Sequence, residues 1–259
     1  MSFSSPAEPD GDPTGHKRQQ LLHYTRTHLV PHRSVSAVVA VGSVAAGLAR
    51  ADSDIDATIF MEPIDLHVAP AEAIWRPRDN TYHSIFSAQP DLDDGIQLDF
   101  TRLDLATWRK AEHHWPEHTR AALADGWVAF DRTGEVSALL AERTSMSEQQ
   151  RRQILDEVLV AAAGLLRQDS VHIWAVLGAA EAFDRLQTAY EELVRGVFAY
   201  NRKWQPWRGR ALRSLSRLSY LPPALGDDLE GAVRSAGDGL TAYRARSEQL
   251  ELVLDQLVG

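Results

Sequence analysis

Apolar residues in the first half of the chain fall into short continuous or alternating runs, whereas those of the second half recur at helical spacing. Val38-Val39-Ala40-Val41 stops at Gly42, the pattern of a buried strand ending in a tight turn. Beyond it, Ile55, Ala57 and Ile59 alternate with polar positions, so a strand there sends these residues to a core and Asp54 and Asp56 to the opposite face. Ile96, Leu98, Phe100 and Leu103 predict a third strand whose second face carries Gln97, Asp99 and Thr101. Trp127 to Phe130, between Gly126 and the Asp131–Gly134 turn, predicts another. Tyr82 to Phe86 reads as an edge strand within a stretch punctuated by Pro63, Pro70, Pro77 and Pro90. Leu21, Leu22, Tyr24 and Leu29 predict a helix over 16–30, stopped by Pro31.

From Ser145-Met146-Ser147-Glu148, a polar break with capping character, every pattern is helical. One helix is predicted over 148–167 and a long one over 171–200. The second has Ile173, Val176, Leu177, Ala180, Phe183, Tyr190 and Leu193 near one side, and Gly178 and Gly196 leave its continuity open. A last helix runs from about Gly239 to Val258. The expected architecture is an α/β domain over 16–144, a small mixed sheet with helices, followed by an all-α helical bundle over 145–259. Met1 to Gly15, rich in Ser, Pro, Asp and Gly, reads as a flexible tail and not as a signal peptide.

Chemistry gathers around the first turn. Gly42-Ser43 offers bare backbone N–H groups and a hydroxyl, a combination suited to phosphate oxygens. Asp54 and Asp56, side by side at a strand end, repel each other, and a divalent cation bound through oxygen relieves that repulsion. An exposed acidic hairpin loop is the simpler explanation of Asp-x-Asp alone. Gly-Ser upstream, a further acidic strand at Asp99 and a basic helix downstream weigh against it. His113, His114 and His118 suggest zinc, but Pro116 interrupts the pair at i, i+4, and packing or surface roles are preferred.

Gly42-Ser43, the segment through Gly47, and Ser53-Asp54-Ile55-Asp56 resemble the signature of the nucleotidyltransferase superfamily that includes DNA polymerase beta. Among its members the likeness is to the bacterial aminoglycoside and lincosamide nucleotidyltransferases and the minimal nucleotidyltransferases. The motif covers the first half of the chain. The resemblance implies two Mg²⁺ ions, with Asp54, Asp56 and Asp99 as catalytic metal ligands. It also implies ATP or another nucleoside triphosphate as co-substrate, with Gly42 and Ser43 at its β/γ-phosphates. Some antibiotic-modifying members have a glutamate as base where this chain has Asp99, so Asp99 is a ligand of the nucleophile-side metal, the general base, or both.

Charge sharpens the picture of the second half. The chain carries a formal net charge of −9, which argues against a large nucleic-acid footprint and favours a cationic small molecule. Yet no acidic residue lies between Arg195 and Gly226. Arg210, Arg213 and Arg217 are spaced i, i+3, i+7, which places them on one face of a helix after Pro206, with Leu212, Leu215 and Leu218 on another. Together with Lys203 they suit triphosphate oxygens. A solvated basic face is the alternative. The Asn201-x-x-Trp204-x-Pro206-x-Arg208 pattern resembles a segment of helical domains attached to bacterial nucleotidyltransferases, which implies that this segment faces the active-site cleft, with Lys203, Arg210 and Arg213 as the candidate phosphate ligands. Glu181, Asp184 and Glu191 on the long helix either receive the amines of an aminoglycoside or form an exposed charged face.

The chain has no cysteine, which excludes disulfides and thiolate chemistry, and no apolar run near the roughly 20 residues that span a bilayer. A bacterial cytoplasmic protein fits. The expected function is transfer of a nucleoside monophosphate, AMP from ATP, onto a hydroxyl of a small molecule such as an aminoglycoside or lincosamide antibiotic. The alternatives are an antitoxin-type enzyme that adenylylates a protein and a nucleotide-binding regulator without turnover. The intact aspartates argue against the regulator.

Overall fold

The computed structural model describes residues 2–3, 12–65, 68, 73–76, 81–86, 98–221, 224–234 and 237–258. The Asp91–Gly95 turn, His67, Arg78, Ile96 and Gln97 lie outside them, as do residues 4–11 of the tail. The chain divides into two compact units, 1–145 and 146–259.

The first unit is built on a mixed sheet. Its strands are β1 (Ser2–Phe3), β2 (Val35–Ala40), β3 (Ile55–Met61), β4 (Ala73–Arg76), β5 (Thr81–Phe86), β6 (Leu98–Asp104) and β7 (Trp127–Asp131). Their spatial order is β1-β7-β2-β3-β6-β5-β4. Only the β3–β6 pair among these is parallel, and its register sets Ile55 beside Leu98 and Asp56 beside Asp99. The strand at Tyr82–Phe86 is not an edge strand. It pairs on both sides, and β4, inside the proline-punctuated stretch, covers its outer side.

Helix α1 (Pro13–Tyr24) starts three residues before the expected His16, because Asp12 caps it and Pro13 occupies its first turn. Asp12 accepts hydrogen bonds from the N–H groups of Thr14 and Gly15 at 2.9 and 3.0 Å. The helix continues as a π-turn over Thr25–Leu29, closed by Val30 N–H donating to the Thr25 carbonyl at 2.9 Å. Leu21, Leu22, Tyr24 and Leu29 pack against Ile55, Ala57, Ile59, Leu98 and Phe100 on one sheet face. The other face carries Val39, Phe60 and Leu103, packed with α3 (Leu105–Trp108), α4 (Glu117–Ala124) and α5 (Glu135–Thr144) through Trp108, Leu123 and Leu140, and with Trp115 of the α3–α4 connection. α2 is a single turn at Gly42–Ala45.

The second unit is helical: α6 (Glu148–Leu166), α7 (Ser170–Tyr200), α8 (Arg208–Leu215), α9 (Leu225–Arg234) and α10 (Leu240–Val258). A capping box opens α6. The Ser147 hydroxyl accepts from the Gln150 N–H at 3.2 Å, and the Gln150 side chain accepts from the Ser147 N–H at 3.0 Å. Hydrogen bonds from Arg151 and then Arg152 pull the Glu148 carboxyl down to about 2. α9 was not expected from the pattern, although Leu225, Leu229 and Ala232 form a short buried stripe.

Gly178 interrupts α7 with φ 77° and ψ 174°. The turns before it are therefore out of phase with those after it. Val176, expected on the apolar side, is 64 % exposed, and burial resumes at Ala182, Leu186, Ala189 and Leu193. Gly196, by contrast, stays helical and lets α6 come close: a Cβ there would lie 2.8 Å from Cγ1 of Val158. Gly196→Val will therefore destabilise the helical unit by about 1–3 kcal/mol, the usual cost of overpacking. Urea unfolding followed by helical circular dichroism checks this, and an unchanged midpoint refutes it.

Candidate metal centre

Three carboxylates converge at one end of the sheet. Asp54 stands just before β3, Asp56 is its second residue, and Asp99 is the second residue of the parallel neighbour β6. The strand period of two sends Asp54 and Asp56 to one side of β3, and the register puts Asp99 on the same side. One oxygen from each carboxylate lies within 4.8 Å of the others, and each residue is half-buried. Among the described residues this is the group whose geometry could hold a metal ion. Three anionic oxygen donors, with no nitrogen or sulfur among them, fit a hard divalent cation such as Mg²⁺ or Mn²⁺.

The glycine turn is tied to the same place. The Val41 N–H donates to the carbonyl of Asp56 at 2.9 Å, so the chain leaves β2 directly beside the second aspartate. Gly42 follows with φ 67°, a left-handed conformation that a side chain disfavours. Leu48 N–H closes the turn onto the Ser43 carbonyl at 2.9 Å. Backbone N–H groups at Gly42–Ser43 and the carboxylates of Asp54, Asp56 and Asp99 thus share one end of the sheet.

One solved structure with a similar architecture is a nucleotidyltransferase-like protein from Exiguobacterium sibiricum. It shares 13% sequence identity, with 91% of this chain and 75% of that chain covered at a TM-score of 0.45. No protein-family model and no curated protein matches the chain. The three carboxylates, and not this likeness, carry the functional reading.

The basic residues predicted for phosphate lie in the second unit. Lys203, Arg210, Arg213 and Arg217 are all exposed. α8 ends at Leu215, so Arg217 lies past its C-cap, and the single helical face expected for the three arginines is not formed. Ala211 and Leu215 are buried, and Leu212 and Leu218 are partly so, which keeps the leucine side of the expected pattern. Arg208 pairs with Glu191 at 2.8 Å, and Glu191 also accepts from Gln187 at 2.9 Å. Glu191 is therefore already engaged, while Glu181 and Asp184 are exposed. Asn201 clasps the backbone of Tyr220, accepting from its N–H at 2.7 Å and donating to its carbonyl at 2.8 Å. This fixes the path of the basic segment. Of the histidines, His113 packs edge-on against Trp108 at 5.0 Å between ring centroids.

Pattern reading missed the polar side of α1. Thr14, Lys17, Leu21 and Tyr24 lie on its buried stripe, at i, i+3, i+7 and i+10. The clue was a lysine at a position where the periodicity calls for an apolar residue. Among the described residues no helix is long and apolar enough to cross a membrane.

Proposed function

We propose that the chain is a Mg²⁺-dependent nucleotidyltransferase that moves a nucleoside monophosphate, AMP from ATP, onto a hydroxyl of a small molecule, with aminoglycoside and lincosamide antibiotics as candidate acceptors. The single observation supporting this is the convergence of Asp54, Asp56 and Asp99 beside the Gly42-Ser43 turn. In the reaction the acceptor oxygen forms a bond to the α-phosphorus, the bond from that phosphorus to the bridging oxygen breaks, and pyrophosphate leaves. Asp54, Asp56 and Asp99 would hold divalent cations, which would supply charge neutralisation for the triphosphate and would make the acceptor hydroxyl more acidic.

The chain's own residues have three tasks. Asp54 and Asp56 hold the cation site, and the N–H groups at Gly42 and Ser43 orient the outer phosphates. Asp99 takes the hydroxyl proton on its carboxylate, orients the cation, or does both. Lys203, Arg210 and Arg213 offer additional cationic donors to the phosphates. The absence of acidic residues between Arg195 and Gly226 supports that assignment.

The test is a screen for pyrophosphate release from each nucleoside triphosphate with Mg²⁺, across a panel of hydroxylated aminoglycosides and lincosamides. Release that needs both acceptor and cation supports the proposal, and none with any pairing refutes it. Titrating Mg-nucleotide into Arg210→Ala and Arg213→Ala assigns the basic segment. A residue that grips phosphate will cost roughly 1.5–3 kcal/mol of binding, whereas a surface role will cost about 0–1 kcal/mol. Unchanged affinity in both variants returns the segment to a solvated face.

A further inference from the structure

Lys17 lies in the second turn of α1 and is 1 % exposed. Burying an ammonium group is costly unless it is hydrogen-bonded and faces negative charge, so its surroundings must compensate it. Its Nζ donates to the carbonyl of Ser53, the residue immediately before Asp54. Neighbouring side chains of the same helix hold the rest of the segment that leads there. Arg18 donates to the carbonyls of Val44 and Ala45 at 3.2 and 2.9 Å, and the Thr14 hydroxyl accepts from the Ala49 N–H at 3.1 Å. Between the end of α2 and the start of β3 this segment has no regular structure, and within it only Ala49 is a buried apolar residue. Polar contacts from α1 thus set its path from the glycine turn to the first aspartate.

We propose that Lys17 is a positioning residue for the acidic triad: by donating to the Ser53 carbonyl it fixes the backbone entering Asp54 and sets that carboxylate against Asp56 and Asp99. This rests on the proposed cation-binding reading of the triad. An exposed loop carrying Asp54 without such an anchor samples many positions, and a carboxylate that must be ordered on binding contributes less affinity.

The experiment is Mn²⁺ titration followed by electron paramagnetic resonance, on full-length wild type and on Lys17→Met, Lys17→Gln, Lys17→Arg and Leu21→Ala. Leu21 is a fully buried core residue of the same helix, so Leu21→Ala reports what destabilising α1 does by itself. Lys17→Met is expected to weaken Mn²⁺ binding at least tenfold, with Lys17→Arg recovering most of that loss. Leu21→Ala should lower the melting temperature and leave Mn²⁺ affinity within twofold of wild type. If Lys17→Met does not fold, Lys17→Gln, whose shorter side chain stops short of the Ser53 carbonyl, is expected to weaken binding at least threefold. Mn²⁺ affinity within twofold of wild type in a folded Lys17→Met or Lys17→Gln variant overturns the proposal, as does an equal loss in Leu21→Ala. Wild type that binds no Mn²⁺ overturns the cation reading itself, and the two failures are thereby told apart.

Discussion

Asp56→Asn is expected to abolish Mn²⁺ binding and to reduce Mg²⁺-dependent pyrophosphate release by on the order of 10³-fold or more, the scale of several kcal/mol of lost transition-state stabilisation. Asp56 stands between the other two acids: it follows Asp54 by two residues, on the same side of the chain, and lies in parallel register with Asp99. Its amide analogue keeps the shape but removes the charge that attracts the cation. The fold should not suffer. The three carboxylates crowd within 4.8 Å, and losing one relieves repulsion, so the melting temperature without metal should stay or rise. Asp99→Asn separates its two roles. As a ligand it will lose Mn²⁺ affinity together with turnover. As the base alone it will keep the affinity and lose turnover and the acidic limb of the pH–rate profile. Pyrophosphate release at the wild-type rate by Asp56→Asn would place the cation elsewhere.

Asp131→Ala is expected to destabilise the first unit by about 3 kcal/mol, since buried donors left without acceptors cost roughly 1–3 kcal/mol each and relax in part. Asp131 ends β7 and is 2 % exposed. Its carboxylate accepts from the N–H groups of Thr133, Gly134 and Ser137 and from the Ser137 hydroxyl, at 3.3, 2.9, 2.8 and 2.7 Å. These bonds join the last strand to the first turn of α5, the helix whose Val136 and Leu140 pack with Trp108 and Trp115 on the triad's side of the sheet. Asp131→Asn keeps an acceptor oxygen and should cost less, about 1 kcal/mol. Urea unfolding followed by tryptophan fluorescence measures both. Equal midpoints for wild type and Asp131→Ala would mean that water satisfies the freed donors and that the cap contributes nothing.

Hydrophobic period and motif spacing, which are local properties, made much of the first unit and the acidic site legible. Val38–Val41 ending at Gly42, and Ile55, Ala57 and Ile59 alternating with the aspartates, define strands and faces because a side chain's direction on a strand depends only on its position parity. The α6 capping box and the long α7 were readable for the same reason: their signals lie within a few residues of one another. The sequence by itself thus determined a mixed α/β unit followed by helices, and one face shared by Asp54 and Asp56.

What pairs with what was decided only in three dimensions. That β6 lies parallel to β3, with Asp99 opposite Asp56, follows from a crossover whose register no local pattern encodes. The break in α7 was decided at Gly178, where a single residue with positive φ resets the helical phase. α8 stopped at Leu215 although Arg217 continued the i, i+3, i+7 spacing, because periodicity describes a face but does not carry a helix past its last turn. Lys17 lies deepest in this second category. Its charge reads as surface in any composition count, and only tertiary packing, by bringing the Ser53 carbonyl to the buried stripe of α1, turns it into an internal anchor.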